Sequence, residues 1–239
     1  MSTTHADPIH AKYPHLAHHF DTPKQQFDSG KMGMWLFLIT EILFFGGLFA
    51  AYFVLRSNNY QMFHIGQYFL DTNMGLINTI VLLVSSFTAA WSVRAAQMGN
   101  KKLMIQLMAV TFLCAAGFMV IKYFEYSHKI HWGLVWGSHF APSQDALAHL
   151  AKQGYEYSAE QLGASGMRLG NFFSLYFCIT GLHGIHVLVG MGLYLWLIKR
   201  AMAGHFNKDN FAAVDNVALY WHIVDIIWIF LFPMLYLIG

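Results

Sequence analysis

Five long apolar runs punctuate this chain, at about 32–55, 73–97, 103–126, 170–198 and 214–238, with polar residues gathered between them. A helix needs about 20 mostly apolar residues to cross a bilayer, and each run reaches that length. The pattern predicts an all-α polytopic membrane protein, a bundle of five transmembrane helices in one domain over residues 32–239, preceded by a polar, histidine-rich tail over 1–31. Short polar turns join most spans. The exception is the connection 127–169, where Ser143 precedes a segment that Gly154 can stop and Ser158-x-x-Gln161 has the form of a capping box. Two short amphipathic helices are therefore expected there.

An odd number of spans puts the termini on opposite sides. Lys12, Lys24, Lys31, Arg94, Lys101, Lys102, Lys199, Arg200 and Lys208 fall on the tail side, against Arg56, Lys122, Lys129, Lys152 and Arg168 on the other. By the positive-inside rule the N-terminus is expected in the cytoplasm and the C-terminus outside. The tail holds His5, Asp7, His10, His15, His18, His19, Asp21 and Asp28 and has no apolar core of its own, so the first span is expected to drive insertion.

Composition agrees with the pattern. Apolar residues make up 56% of the 239 and charged ones 11%, far below the roughly 25% charged share of soluble domains. Such a surface suits lipid. The net charge of +2 and the lack of a basic stripe exclude nucleic acid as a partner class. Cys114 and Cys178 lie singly inside apolar runs, without ligand spacing, and read as small buried hydrophobes.

The chemistry worth weighing is at membrane depth, where an ionisable side chain costs about 2.5–3.5 kcal/mol on insertion scales. At 1.5 Å per residue, Glu41, His183, His186, His222 and Asp225 fall about 12–22 Å from the cytoplasmic ends of their spans, so they share one layer. His183 with His186 and His222 with Asp225 are each three apart and share a helix face. This layer can be a proton relay, a metal or haem site, for instance with one axial ligand from each of His183 and His222, or a polar network that fixes helix register, with Asp225 pairing a histidine. Gly46 with Ala50 and Gly47 with Ala51 suggest close helix contact beside Glu41. Lys122 and Glu125 read as an i,i+3 ion pair at the interface, and Trp91 and Arg94 as interfacial anchors.

Four stretches carry a resemblance. Leu38-Ile-Thr-Glu41-Ile-Leu-Phe-Phe-Gly-Gly-Leu-Phe, Asn78-Thr-Ile-Val-Leu-Leu with the Met98-Gly-Asn-Lys turn, Thr180-Gly-Leu-His-Gly-Ile-His-Val-Leu-Val-Gly190, and Tyr220-Trp-His-Ile-Val-Asp-Ile-Ile-Trp resemble, in order, segments of cytochrome c oxidase subunit III. Glu125-Tyr126 also matches an E-Y pair of that family. The resemblance implies a non-redox accessory subunit of a haem-copper terminal oxidase in the bacterial cytoplasmic membrane. It would stabilise catalytic subunit I and support its proton uptake, with subunit I as main contact, subunit II and other respiratory subunits nearby, and haem and copper only in those partners. Glu41 would be the family's carbodiimide-reactive carboxyl, and Glu41, His183, His186, His222 and Asp225 candidates for lipid contact or a proton path, with phospholipid a candidate ligand. Larger family members have two further helices before the glutamate helix that form a lipid-holding cleft, so the complete cleft is not expected here, and the loop 127–169 is longer than usual. The competing readings are the homologous subunit of nitric oxide reductase, a membrane cytochrome b using His183, His186 and His222, and a proton-coupled transporter built on Glu41 and Asp225.

Overall fold

The structure, a computed structural model, describes residues 17, 19–163, 166–208 and 210–238. Of the tail residues singled out above, His5, Asp7, His10, Lys12, His15 and His18 lie outside them. The described residues form helices and no strand, and five helices are long and apolar enough to cross a membrane: α1 (Pro23–Asn58), α3 (Thr72–Gln97), α4 (Lys101–His131), α7 (Leu169–Met202) and α8 (Ala212–Tyr236). Shorter helices α2 (Tyr60–Gln67), α5 (Gln144–Lys152) and α6 (Ala159–Leu162), with a 3-10 turn at Gly137–His139, lie at one end, called here the loop end. The protein is a multi-pass membrane protein.

Helix α1 starts nine residues before the apolar run because its start is set by capping, not by hydrophobicity. The Thr22 hydroxyl accepts the Gln25 amide and Pro23 occupies the first turn, where its missing N–H leaves no bond unmade. Its polar first turns are held by Lys31, 2.5 Å from Asp215 of α8. Both short helices of the long connection form as their caps dictate: Ser143 accepts Ala146 N–H, Gly154 takes φ +88° beyond the stop, and Ser158 and Gln161 cap one another. Helix α2 was not legible, since eight residues carrying His64 and two glutamines show little apolar period. It forms by burying Met62, Phe63 and Ile65.

Helix α8 is the most buried span and α1 the most exposed. Around α8 pack α3, α7 and α1, and α4 closes against α3 and α7. Helix α3 packs on α4 and α8 through small residues: Ser85, Ala89, Ser92 and Ala96 are buried, the two serine hydroxyls bond back to carbonyls one turn earlier, and Thr88 meets Thr111 of α4 at 2.8 Å. Without a hydrophobic drive between helices in lipid, such close backbone approach supplies the packing. Gly190 of α7 serves the same end, because a Cβ there would sit 2.6 Å from the Trp221 ring of α8.

At the loop end a charged cluster replaces that close packing. Lys122 and Glu125, expected at the interface, are buried inside the bundle together with Lys129. Glu125 Oε2 accepts Lys122 Nζ at 2.8 Å, while Oε1 accepts Lys129 Nζ at 2.8 Å, Tyr176 OH at 2.8 Å and Tyr236 OH at 2.6 Å. Lys122 also donates to Tyr176 at 3.1 Å and Tyr236 at 3.2 Å, with Trp228 and Tyr126 rings around it. The i,i+3 ion pair forms as expected, but inside the bundle and not at the interface. Tyr176 and Tyr236, far away in sequence, carry phenols that reach the carboxylate and keep the ions inside.

Two outcomes follow from this packing. Gly190→Ala should destabilise the fold by about 1–3 kcal/mol through overpacking against Trp221, seen as a lowered thermal midpoint in detergent; an unchanged midpoint would show that the ring can move aside. Glu125→Gln leaves two buried ammoniums without their anion and should lose about 3–5 kcal/mol. Replacing all three ions by apolar residues should cost less than Glu125→Gln alone, and a Glu125→Gln protein that melts like the wild type would contradict the assignment of the cluster as a structural core.

Candidate functional site

The five residues of the predicted layer are divided among three places. On one side Glu41 of α1 meets His186 of α7, with Glu41 Oε2 2.9 Å from His186 Nε2. The other imidazole nitrogen faces its own helix, since Nδ1 lies 2.7 Å from the Leu182 carbonyl, which only accepts. Nδ1 therefore carries a hydrogen, and Nε2 and the carboxyl share the proton between them: an imidazolium with a carboxylate, or a neutral imidazole with a carboxylic acid. Either form has no net charge, which is what a low-dielectric site tolerates. Phe45 covers the imidazole edge-on at 5.1 Å, and Tyr220 of α8 donates to the His186 carbonyl at 2.9 Å. Both side chains keep some exposure, 17% for Glu41 and 19% for His186, so the pair sits at the bundle surface.

The second place lies between α3 and α8. His222 Nδ1 is 2.7 Å from the Ser86 hydroxyl, and Trp221 Nε1 donates to Ser85 at 3.0 Å. Asp225 is buried, and Ser86 and Ser85 are the side chains that act on its carboxyl, although neither oxygen is in good hydrogen-bond geometry. The sequence expectation that Asp225 pairs with a histidine is corrected here: His222 is held by Ser86. His183 is fully buried with neither ring nitrogen bonded, lying between Phe118 at 5.6 Å and Trp228 at 5.2 Å. Its three-residue spacing from His186 puts the two on one side of α7, yet His183 faces the aromatic interior and His186 faces α1.

No group of three His, Cys, Asp or Glu side chains among the described residues converges as metal ligands would. His183 and His222 have separate neighbours, so the geometry does not favour a haem shared between them. Gly46, Gly47, Ala50 and Ala51 do not meet another helix of this chain, contrary to the close contact expected: all four are exposed, and a Cβ at either glycine would have nothing within 4 Å. They lie one to three turns beyond Glu41, on the side of α1 turned largely away from it. The residues that sequence reasoning missed are Lys129, Tyr176 and Tyr236 in the ion cluster and Ser86 beside His222. Only the i,i+4 spacing of Glu125 and Lys129 could have signalled any of them.

Comparison with known proteins puts this geometry in a family. A family model described as cytochrome c oxidase subunit III matches residues 16–143 and 138–239. The chain is 30% identical over 221 residues to quinol oxidase subunit 3 of Bacillus spizizenii, covering 90% of this chain and 91% of that one. It is 29% identical over 230 residues to cytochrome c oxidase subunit 3 of Loxodonta africana, covering 93% of this chain and 73% of the relative. Over 231 residues it is 26% identical to a haem-copper oxidase subunit I+III of Aeropyrum pernix, where 94% of this chain corresponds to 24% of a much longer protein. With matches that run through all five spans, this chain belongs to the cytochrome c oxidase subunit III family and is an accessory subunit of a haem-copper oxidase.

Proposed function

We propose that the chain acts as a non-redox subunit that packs beside subunit I, stabilises it and supports its proton uptake, binding no haem or copper itself. It would lie in the bacterial cytoplasmic membrane with its N-terminus in the cytoplasm, near subunit II and other respiratory subunits. The observation that carries this reading is the open face of α1. Of the five spans it gives the least of its surface to the rest of the chain: Gly46, Gly47, Ala50 and Ala51 are exposed on its outer side, and the Glu41–His186 pair stays partly exposed where α1 meets α7. Small residues admit a neighbouring helix closely, and a polar pair at a lipid-facing surface calls for a polar group or lipid headgroup opposite it. The relative named as subunit I+III, in which both parts share one chain, supports subunit I as that neighbour.

In this reading Glu41 and His186 act at the boundary with subunit I or with a lipid held there. Asp225, His183 and His222 act through structure. None of the five is assigned a catalytic role.

The docking face is tested by Gly46→Leu. The new side chain meets nothing in this chain, and leucine raises helix propensity by up to about 1 kcal/mol over glycine, so the isolated subunit should be as stable as before. Recovery of the copper- and haem-bearing subunit on a tag carried by this chain should fall sharply, and full recovery would remove α1 from the interface. For the pair, a hydrophobic carbodiimide should label Glu41 in the native complex, and His186→Leu should alter the labelling rate. Labelling confined to other carboxyls would count against Glu41 as the exposed membrane-depth acid.

A further inference from the structure

Beneath α5 and the end of α2, at the loop end, a cavity of about 580 Å3 opens onto the buried ion cluster, with Glu125, Lys129 and Tyr236 among its lining. Its size lies in the range of about 300–1,000 Å3 found for small-molecule sites. The cluster that forms its floor is uneven in its hydrogen bonding. An ammonium has three N–H donors, and Lys122 directs its three to Glu125, Tyr176 and Tyr236. Lys129 has one oxygen acceptor, Glu125 Oε1, and otherwise the face of the Tyr176 ring 5.0 Å away. Glu125 is the one carboxylate bonded to both ammoniums, Asp71 acts on Lys129 only from a distance, and the unused N–H groups sit at Lys129, whose side chain is 3% exposed.

The rest of the cavity surrounds those unused donors with polar groups. Trp132 on its wall is flanked by His128 at 4.1 Å and His149 at 5.1 Å, and His149 is held by the Tyr68 carbonyl at 3.1 Å. The N-terminus of α3 also opens here, and its partial positive charge is met by Asp71 Oδ1, which accepts the Asn73 and Met74 amides at 2.9 and 3.2 Å. A buried ammonium with unused donors needs acceptor oxygens. Asp71, at the exposed rim, repels a second negative charge and admits a ligand carrying a single one.

We infer that this cavity is an oxyanion site that takes a singly charged phosphate-type group, with Lys129 as its principal donor and Asp71 limiting the ligand's charge. The group can come from free phosphate or from the phosphodiester of a lipid headgroup, since both present the same oxygens to Lys129.

Phosphorus NMR titration of the purified complex with inorganic phosphate in mildly acidic buffer, joined to native mass spectrometry of retained lipid, tests the site and its source. Lys129→Gln should weaken phosphate binding by about tenfold or more, the scale of one lost charge-assisted bond. Asp71→Asn, which remains a good helix cap, should tighten it several-fold by removing the like charge; this variant decides the matter should Lys129→Gln fail to assemble. A wild-type complex that ignores phosphate yet retains a phospholipid that Lys129→Gln loses would show the same site filled by a headgroup. Phosphate binding equal in all three proteins, or neither phosphate binding nor lipid retention that depends on Lys129, would overturn the inference.

Discussion

One carboxylate shared by three spans organises the loop end of this protein. Glu125 receives two ammoniums from its own helix and a phenol from each of α7 and α8. The arrangement fixes rotation and depth together, because sliding α7 or α8 by a turn would withdraw Tyr176 or Tyr236 and leave charge unmet. Charge-assisted bonds in a low-dielectric interior are strong, and their removal one at a time is expensive. The roof formed by α2 and α5 can therefore be irregular in sequence and still have a fixed floor.

Toward the other end the bundle holds together differently. Small residues of α3 let α4 approach, hydroxyls fold back on their own helix, and Gly190 admits the Trp221 ring. Helix α1 stands outside both devices, tied by Lys31 to Asp215, by Tyr52 to the Met234 carbonyl and by Glu41 to His186. A span held at these polar points and by a few buried side chains such as Leu38 and Phe45 leaves most of its surface free for a neighbour. That links its weak packing within the chain to the work of an accessory subunit, whose stability is completed by what it stabilises.

The spans were legible because length and hydropathy alone decide them, and the caps at Ser143 and Ser158 because a local hydrogen bond decides those. Glu41, His186, His222 and Asp225 could be placed at one depth by counting residues, but depth carries no information about azimuth, so the separation into a Glu41–His186 pair and a serine-held His222 came only from packing. Lys122 and Glu125 misled for a related reason. Near a span end a charged pair reads as interfacial unless the phenols of Tyr176 and Tyr236, 51 and 111 residues away from Glu125, are known to close over it. Gly46 and Gly47 suggested close helix contact, but no helix of this chain meets them, because small-residue spacing carries no information about where a neighbouring helix lies.

The central claim, that this chain supports a redox enzyme without taking part in electron transfer, is tested most directly by removing it. Oxidase depleted of this subunit under mild detergent should keep the visible spectrum of its haems and its initial rate of oxygen reduction while its thermal midpoint falls. Loss of a haem band in proportion to the chain removed, or oxygen reduction absent from the first turnover with the haems intact, would contradict the account.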